Sequence, residues 1–329
     1  MCSGGPNEGV YNYSPEGKIQ APAEIDNHAW GENTVFGFVG DCSSPCGGSG
    51  EESGGGSEPP VPPQEPQPEV AVYRYMLGTS AGESIASWGT MLTGMSEAKA
   101  MSLGDMTGDG KSDIVSVEPE GTGSYRYMLG TSAGENIASW SKILGGMSVP
   151  IRLGVGDFTG DGKADILALE SEGNGQYRYM LGTSNGGGVS SWKKILGGMS
   201  EAKLMSVGDF TGDGKADILA LESEGNGKYR YMLGVSSGAG ISSWKQVLGG
   251  MSEAKAMSVR DMTGDGKADI ISVEPEGNGH YRYMLGRSSG GGVATWKQVL
   301  GGMSEPKAMS AGDFTGDGKA DIVSVEKEE

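Results

Sequence analysis

Three observations predict an all-β fold for this chain. A unit of 52 residues recurs five times without insertion between residues 71 and 329. Within each unit, apolar and polar residues alternate over short segments, which is the period of a β-strand. The 61 glycines suit tight turns between such strands, because glycine adopts positive φ angles at little cost. Four short strands in a unit repeated at a fixed period predict a β-propeller.

The strands of the first unit follow from this alternation. Residues 73–77 and 85–91 form the first two strands, and the second carries Trp88. A third strand at about residues 99–103 leads into an aspartate-rich loop, and residues 113–118 form the fourth. A Gly-containing turn at residues 119–123 then joins the fourth strand to the next unit as a hairpin.

The two ends of the array predict a closed ring. Open repeat stacks need terminal units with a polar outer face, but the first and last units here are as apolar as the middle three. The array starts with the strand at Tyr73 and finishes with a strand at residues 321–325, and these two strands are hairpin neighbours elsewhere. The sequence therefore predicts a five-bladed propeller closed by its N- and C-terminal strands. An open array that polymerises end to end is the alternative.

Composition restricts the partners and the chemistry. The chain has 43 acidic and 25 basic residues and a net charge of −18, which disfavours a nucleic-acid or anionic membrane surface. No apolar stretch approaches the ~18 residues of a membrane span, so none is expected. Two histidines, both outside the periodic positions, supply no nucleophile, base and acid set. We expect a protein that is not an enzyme.

The residues before the array divide into two segments. Residues 1–46 form an irregular extension, and residues 47–70 form a linker that is rich in Gly and Ser and then in Pro. One stretch of the extension predicts a strand, with the apolar residues Val35, Phe36, Phe38 and Val39. A segment this short cannot bury these side chains alone, so we expect it to dock on the array, to dock on a neighbouring molecule, or not to fold.

All three cysteines lie in this N-terminal extension. The spacing of Cys42 and Cys46 would allow a small disulfide, which would indicate an oxidising compartment. Cys2 is left over, and its surroundings fit either the start of a mature bacterial lipoprotein or an ordinary thiol.

The most regular feature is a nine-residue aspartate loop, Asp-x-Thr-Gly-Asp-Gly-x-x-Asp, which first occurs at residues 105–113. Carboxylates at positions 1, 5 and 9, with the backbone carbonyl of Lys at position 7, are hard oxygen donors suited to calcium, up to one ion per repeat. The alternative is that the aspartates only cap the turn. The predicted metal ligands are Asp105, Asp109, Lys111, Asp113, Asp157, Asp161, Lys163, Asp165, Asp209, Asp213, Lys215, Asp217, Asp261, Asp265, Lys267, Asp269, Asp313, Asp317, Lys319 and Asp321.

This loop also carries a resemblance to a known family. The stretch Gly-Asp-Phe-Thr-Gly-Asp-Gly-Lys-Ala-Asp-Ile at residues 156–166 resembles the FG-GAP/VCBS repeats of integrin α-chains and of secreted bacterial and fungal proteins. The resemblance covers residues 71–329 and implies a β-propeller with calcium in this loop, outside the cell or on its surface. Threonine at position 3 and Arg260 before the fourth loop depart from the family pattern.

Five periodic tryptophans leave two interpretations open. They could line identical sugar-binding pockets between blades, or they could fill the space between blades as core residues. The arginine of each Tyr-Arg-Tyr segment could likewise bind an anion or pair with a nearby glutamate. The candidate pocket residues are Trp88, Trp140, Trp192, Trp244 and Trp296.

Together these patterns predict a non-enzymatic, extracellular, calcium-binding propeller that acts as a structural or adhesive module. Its N-terminal segment would join copies of the chain into a homo-oligomer or fibre by adding a strand to a neighbour. The alternative function is a multivalent lectin that binds glycans at repeated sites between blades.

Overall fold

The computed structural model describes residues 12–13, 19–20, 72–80 and 85–326, and the chain divides into two compact units, residues 1–65 and 66–329. In the first unit, β1 (Asn12–Tyr13) pairs antiparallel with β2 (Ile19–Gln20). The predicted assembly strand, the cysteines and the whole linker lie outside the described residues. No helix in the described part of the chain is long and apolar enough to cross a membrane.

The second unit consists of antiparallel sheets that follow one another along the chain. A two-stranded first half-sheet is followed by four four-stranded sheets, here called sheets 1 to 4, and by a two-stranded last half-sheet. The half-sheets are β3 (Tyr73–Ser80) with β4 (Ile85–Met95), and β21 (Pro306–Gly312) with β22 (Asp321–Glu326).

The four complete sheets have the same strand order, which is the order of the sequence. Sheet 1 contains β5 (Ala100–Gly104), β6 (Asp113–Gly121), β7 (Ser124–Ser132) and β8 (Ile137–Met147). Sheet 2 contains β9 (Arg152–Gly156), β10 (Asp165–Gly173), β11 (Gln176–Ser184) and β12 (Val189–Met199). Sheet 3 contains β13 (Ala202–Gly208), β14 (Asp217–Gly225), β15 (Lys228–Ser236) and β16 (Ile241–Met251). Sheet 4 contains β17 (Ala256–Arg260), β18 (Asp269–Gly277), β19 (His280–Ser288) and β20 (Val293–Met303).

The predicted hairpins between the second and third strands are confirmed. The conformation of their turns explains why Asn-Gly occurs there. In sheet 2, Gly173 pairs with Gln176 across a two-residue turn. Its residues Asn174 and Gly175 have φ angles of 52° and 74°. Asn-Gly adopts this left-handed pair of conformations readily, and such a turn matches the twist of the strands that it joins.

The hydrophobic core lies between successive sheets. The second strand of each complete sheet is buried over its first six residues, so both of its faces are covered. One core cluster joins Leu167 and Tyr179 of sheet 2 to Val207 and Ile218 of sheet 3. The first strands of successive sheets lie against one another in the order β5, β9, β13, β17 and β21. Each sheet thus depends on its neighbours for burial.

The predicted closure of the ring is not confirmed. Among the described residues, β22 pairs only with β21, and β3 pairs only with β4. No packing comparable to that between the other first strands joins β21 to β5 in this region. The angle between sheets is set by the side chains packed between first strands, and the sequence period does not specify that angle. Alternating strands and repeated sheets are therefore established, whereas a five-bladed ring within one chain is not.

The glycine that ends each Tyr-Arg-Tyr-Met-Leu-Gly segment has a steric role. A Cβ atom on Gly234 would lie 2.6 Å and 2.7 Å from two ring carbons of Trp244. We therefore expect Gly234→Ala to lower stability by about 1–3 kcal/mol, because the ring must move out of a packed position. Gly89→Ala is the control, since a Cβ there meets nothing within 4 Å. Guanidinium denaturation midpoints measure both, and equal midpoints would contradict the packing role.

Candidate functional site

Each aspartate loop connects the first strand of a sheet to the second. In sheet 1 the loop runs from Asp105, after β5, to Asp113, the first residue of β6. Gly108 and Gly110 have φ angles of 80° and 83°, a region in which other residues are strained. The glycines at positions 4 and 6 therefore allow the chain to turn sharply around the first aspartate.

The aspartate at position 1 caps this turn. One oxygen of Asp105, Oδ1, accepts hydrogen bonds from the backbone N–H groups of Gly108 at 2.7 Å and Asp109 at 3.1 Å. Its Oδ2 accepts one from Gly110 at 2.7 Å. The same three bonds recur in the other four loops. The capping alternative weighed from the sequence is therefore realised in the geometry.

The aspartate at position 9 is buried and joins the loop to its sheet. Asp217 accepts hydrogen bonds from the N–H of Ser236 through Oδ1 and from the N–H of Thr211 through Oδ2. Burial raises the pKa of Asp165, Asp217 and Asp269, and the serine N–H bond opposes the shift. A buried carboxylate with two fixed donors holds the loop end and the third strand together.

The residues at positions 5 and 7 lie at the surface, and in the first three loops they pair with each other. In the first loop, Lys111 Nζ lies 2.9 Å from Asp109 Oδ2, and the Lys111 N–H donates to Oδ1. The hydrogen bond from the Lys111 side chain is the main cause of the lowered pKa of Asp109. Lysine and aspartate pair in the same way in the second and third loops. Position 5 is the most accessible carboxylate in each of the first four loops.

Calcium binding at the aspartate loops depends on the donor atoms that each loop offers. Only oxygen donors are available, as calcium prefers, and in the fourth loop the buried Asp269 Oδ2 and Thr263 Oγ1 atoms have no hydrogen-bond partner. In the described residues, however, no group of three or more Asp, Glu, His or Cys side chains is arranged to hold a metal. The donor chemistry fits calcium, but the position-5 aspartate would have to leave its lysine.

Successive loops are bonded to one another in a ladder. The N–H of Ala164 in the second loop donates to the carbonyl of Asp105 in the first at 2.6 Å. Equivalent bonds join Ala216 to Asp157, Ala268 to Asp209 and Ala320 to Asp261. Each loop carries three aspartates and one lysine. The ladder therefore brings like charges together along one edge of the array, which costs electrostatic energy.

The tryptophans pack between sheets. Trp140, Trp192, Trp244 and Trp296 are half-buried, and each ring lies against the tyrosine of the preceding sheet or half-sheet, with ring centroids 5.1–5.3 Å apart. The other side of Trp244 meets Gly234, as described above. Trp88 differs because it is 69% exposed. This arrangement supports the core interpretation for the four half-buried rings.

Pairing of arginine with a nearby glutamate, one of the alternatives left open by the sequence, is present in all four complete sheets, but the burial of the glutamate was not predicted. Glu222 is 1% exposed, and its Oε2 accepts hydrogen bonds from Nε and Nη2 of Arg230 on the next strand. Burial raises the pKa of Glu222, and the arginine opposes the shift. Burial, followed by the charge of Glu222, also raises the pKa of Tyr179 in the preceding sheet. The signal in the sequence was the glutamate that recurs every 52 residues.

The two kinds of loop aspartate should differ sharply in their contribution to folding. In chelator, we expect Asp217→Asn to cost about 1–3 kcal/mol, because its amide cannot accept both buried N–H bonds. Asp213→Asn should cost only a few tenths of a kcal/mol, because position 5 is exposed and its oxygen can still accept the Lys215 N–H bond. Chemical denaturation compares the two, and equal losses would contradict this assignment.

Comparison with solved structures finds matches with low sequence identity. The chain resembles the structure titled "Structure of Dos1 propeller" with a TM-score of 0.38 and 9% identity, covering 67% of this chain and 51% of that one. It resembles the AofleA crystal structure from Arthrobotrys oligospora with a TM-score of 0.47 and 15% identity, covering 72% and 68% of the two chains. The chain thus spans about half the length of the Dos1 propeller. No curated protein matches it in sequence.

A family model gives the stronger result. The model for the FG-GAP-like repeat matches four overlapping stretches, residues 105–168, 157–220, 209–272 and 261–324. Each match begins at the first aspartate of a loop, so the region that carried the resemblance is also the region that matches. Together the matches span about two thirds of the sequence. The chain belongs to the FG-GAP-like repeat family.

Proposed function

We propose that this protein is a non-enzymatic structural or adhesive module that binds calcium, joins to copies of itself and acts outside the cell or on its surface. The FG-GAP-like repeats support a structural or binding role. The extracellular setting rests on the family resemblance. Closure of a five-bladed ring within one chain stays a prediction.

The ladder of aspartate loops carries the calcium part of the proposal. Adjacent loops are held together by backbone bonds at 2.6–2.8 Å although each has a net negative charge. A divalent cation at each loop would offset this repulsion and would link a carboxylate to the turn that it caps. Calcium would therefore stiffen the contact between neighbouring sheets, which is a structural role.

Calcium should raise the melting temperature of the protein relative to chelator. A ligand present at 100 times its dissociation constant stabilises the folded state by about 2.7 kcal/mol per independent site. The Asn variant of four position-5 aspartates, Asp109, Asp213, Asp265 and Asp317, should lose most of this increase. Its control is the Gln variant of the surface residues Glu97, Glu201, Glu253 and Glu305, which removes the same charge. Equal calcium responses in the two variants would contradict loop binding.

The connector between copies was predicted in the N-terminal segment around Val35–Val39, which lies outside the described residues. Sedimentation of the full chain and of a chain lacking residues 1–47 tests this part. If the segment is the connector, deletion leaves a soluble monomer that still melts like the full chain. Association that survives the deletion would assign the connection to the rest of the chain.

The lectin alternative is less well supported. Four of the five tryptophan rings pack on a glycine and a tyrosine, which leaves them only partly accessible. A glycan array in calcium tests the alternative directly. Binding that disappears when Trp192 or Trp244 is replaced by Phe, in a variant that remains folded, would favour the lectin over the structural module.

A further inference from the structure

We propose that the two half-sheets at the ends of the array are halves of one sheet that is completed by a second copy of this chain. In this arrangement β22 of one molecule pairs with β3 of the next molecule. The proposal rests on the self-association part of the proposed function, but it needs neither calcium nor the N-terminal segment.

The repeat fixes how the two strands would pair. In sheets 1 and 4 the second and third strands align Ile114 with Gly130 and Ile270 with Gly286. The same register places Ile322 opposite Gly78 and Ser324 opposite Met76. Both β22 and β3 have a free edge in the described structure, so each offers backbone groups for this pairing.

A groove at the last half-sheet matches an exposed side chain at the first complete sheet. In the interior of the array, a Cβ on Gly104 would meet Val155 of the next sheet, and a Cβ on Gly156 would meet Val207. The equivalent Gly312 meets nothing within 4 Å and lines an open groove with Phe314 and Val323. Leu103, which occupies the valine position in sheet 1, is 52% exposed. Leu103 of a second molecule would fill the groove as Val155 and Val207 fill theirs.

The aromatic pairs show the same incomplete pattern. Tyr75, Tyr127, Tyr179 and Tyr231 each contact a tryptophan of the following sheet. Tyr283, the next in the series, precedes the last half-sheet, which lacks the strand that carries the tryptophan. Trp88 is on β4 of the first half-sheet, and no earlier sheet of the array is present to place a tyrosine against it. Completing the sheet between two molecules would place Trp88 against Tyr283.

Charge favours pairing of β22 with β3 over the two symmetric alternatives, in which β3 pairs with β3 or β22 pairs with β22. Four arginines on third strands, Arg126, Arg178, Arg230 and Arg282, pair with a glutamate on the second strand of the same sheet. The equivalent Arg74 makes no ion pair among the described residues, and its partner by register is Glu326. Two β3 edges would bring arginines together, and two β22 edges would bring glutamates together. Only β22 with β3 joins opposite charges.

The distribution of exposed apolar residues agrees with this interface. Ten large apolar side chains are exposed in the described part of the chain, and nine lie where the split sheet is incomplete: Val72, Tyr73, Trp88, Met101, Leu103, Val299, Leu300, Val323 and Val325. Val299 and Leu300 belong here because their equivalents in sheet 1, Ile143 and Leu144, pack against the core cluster that sheets 1 and 2 share. An apolar surface of this kind indicates a protein interface.

Cysteine cross-linking between molecules tests the pairing directly. In a full chain with Cys2, Cys42 and Cys46 replaced by Ser, Ser324→Cys and Met76→Cys are made as separate proteins, mixed and oxidised. We expect a disulfide-linked dimer joined through positions 324 and 76. Ser324→Cys mixed with Thr79→Cys, which is three residues out of register, is the control and should give at least tenfold less product.

A chain that carries both Ser324→Cys and Met76→Cys distinguishes the two ways of completing the sheet. Completion between molecules gives a ladder of oligomers on a non-reducing gel. A cross-linked monomer alone, with no dimer from the mixed single variants, would show closure within one chain and overturn the proposal. Equal cross-linking in the out-of-register control would overturn it as well.

The groove is tested separately by sedimentation. Leu103→Asp should weaken association at least tenfold, whereas Val149→Asp should not, because Val149 is the one large exposed apolar residue of the described part of the chain that lies outside the split sheet. Both side chains are exposed, so folding should survive in both, and circular dichroism checks it. Association should also persist when residues 1–47 are deleted. Unchanged association of Leu103→Asp would contradict the proposal, whereas failure to bind calcium would contradict only the proposed calcium role.

Discussion

Every sheet in this protein depends on burial against the sheet that follows it. The second strand of each complete sheet has six consecutive buried residues, which include an apolar side chain on each face. A single sheet cannot cover both of its own faces, so a repeat of this kind is stable only beside its neighbours. Stability is therefore a property of the contact between sheets, and the loops and edges are organised around that contact.

Polar groups buried at the contact between sheets lower the stability that this contact provides. Glu170, Glu222 and Glu274 each use one carboxylate oxygen to bind arginine, while the other oxygen is buried without a partner. The hydroxyl groups of Tyr127, Tyr179 and Tyr231 are likewise buried and unpaired. Burying such groups costs free energy, so they do not strengthen the array as an apolar core would. Each glutamate keeps its arginine on the next strand of the same sheet, so a slip between these two strands would separate the buried carboxylate from the charge that partly offsets its burial.

Much of this arrangement could be predicted from the sequence because it is local. Alternation at residues 73–77 and 113–118 gave the strands, and the turn after residue 118 gave the hairpin, since both depend on neighbouring residues. The buried glutamates could not be predicted in the same way, because a charged residue in a strand is more often exposed. Whether the first and last strands of the array can pair within one chain depends on the angle between sheets. Many side chains determine that angle together.

The aspartate loops show a different limit of prediction from sequence. The same residues that would bind calcium are those that cap a sharp turn, so the pattern Asp-x-Thr-Gly-Asp-Gly-x-x-Asp predicts both. The structure separates the roles by position: Asp105 caps the turn, Asp113 is buried against the third strand, and Asp109 is exposed. Position 5 is thus the aspartate on which the proposed calcium role depends most.

Near-identical repeats also give a reason to expect that the two ends of the array associate with each other. The number of units in the chain depends on how often the unit was duplicated, whereas the number needed to close a ring depends on the rotation at each contact between sheets. Nothing requires these two numbers to agree. Where they differ, a contact that fits the next unit of the same molecule fits the first unit of another equally well, because the units are the same. The proposed head-to-tail association would then follow from the repeat itself, and the charges on Arg74 and Glu326 would give it a direction.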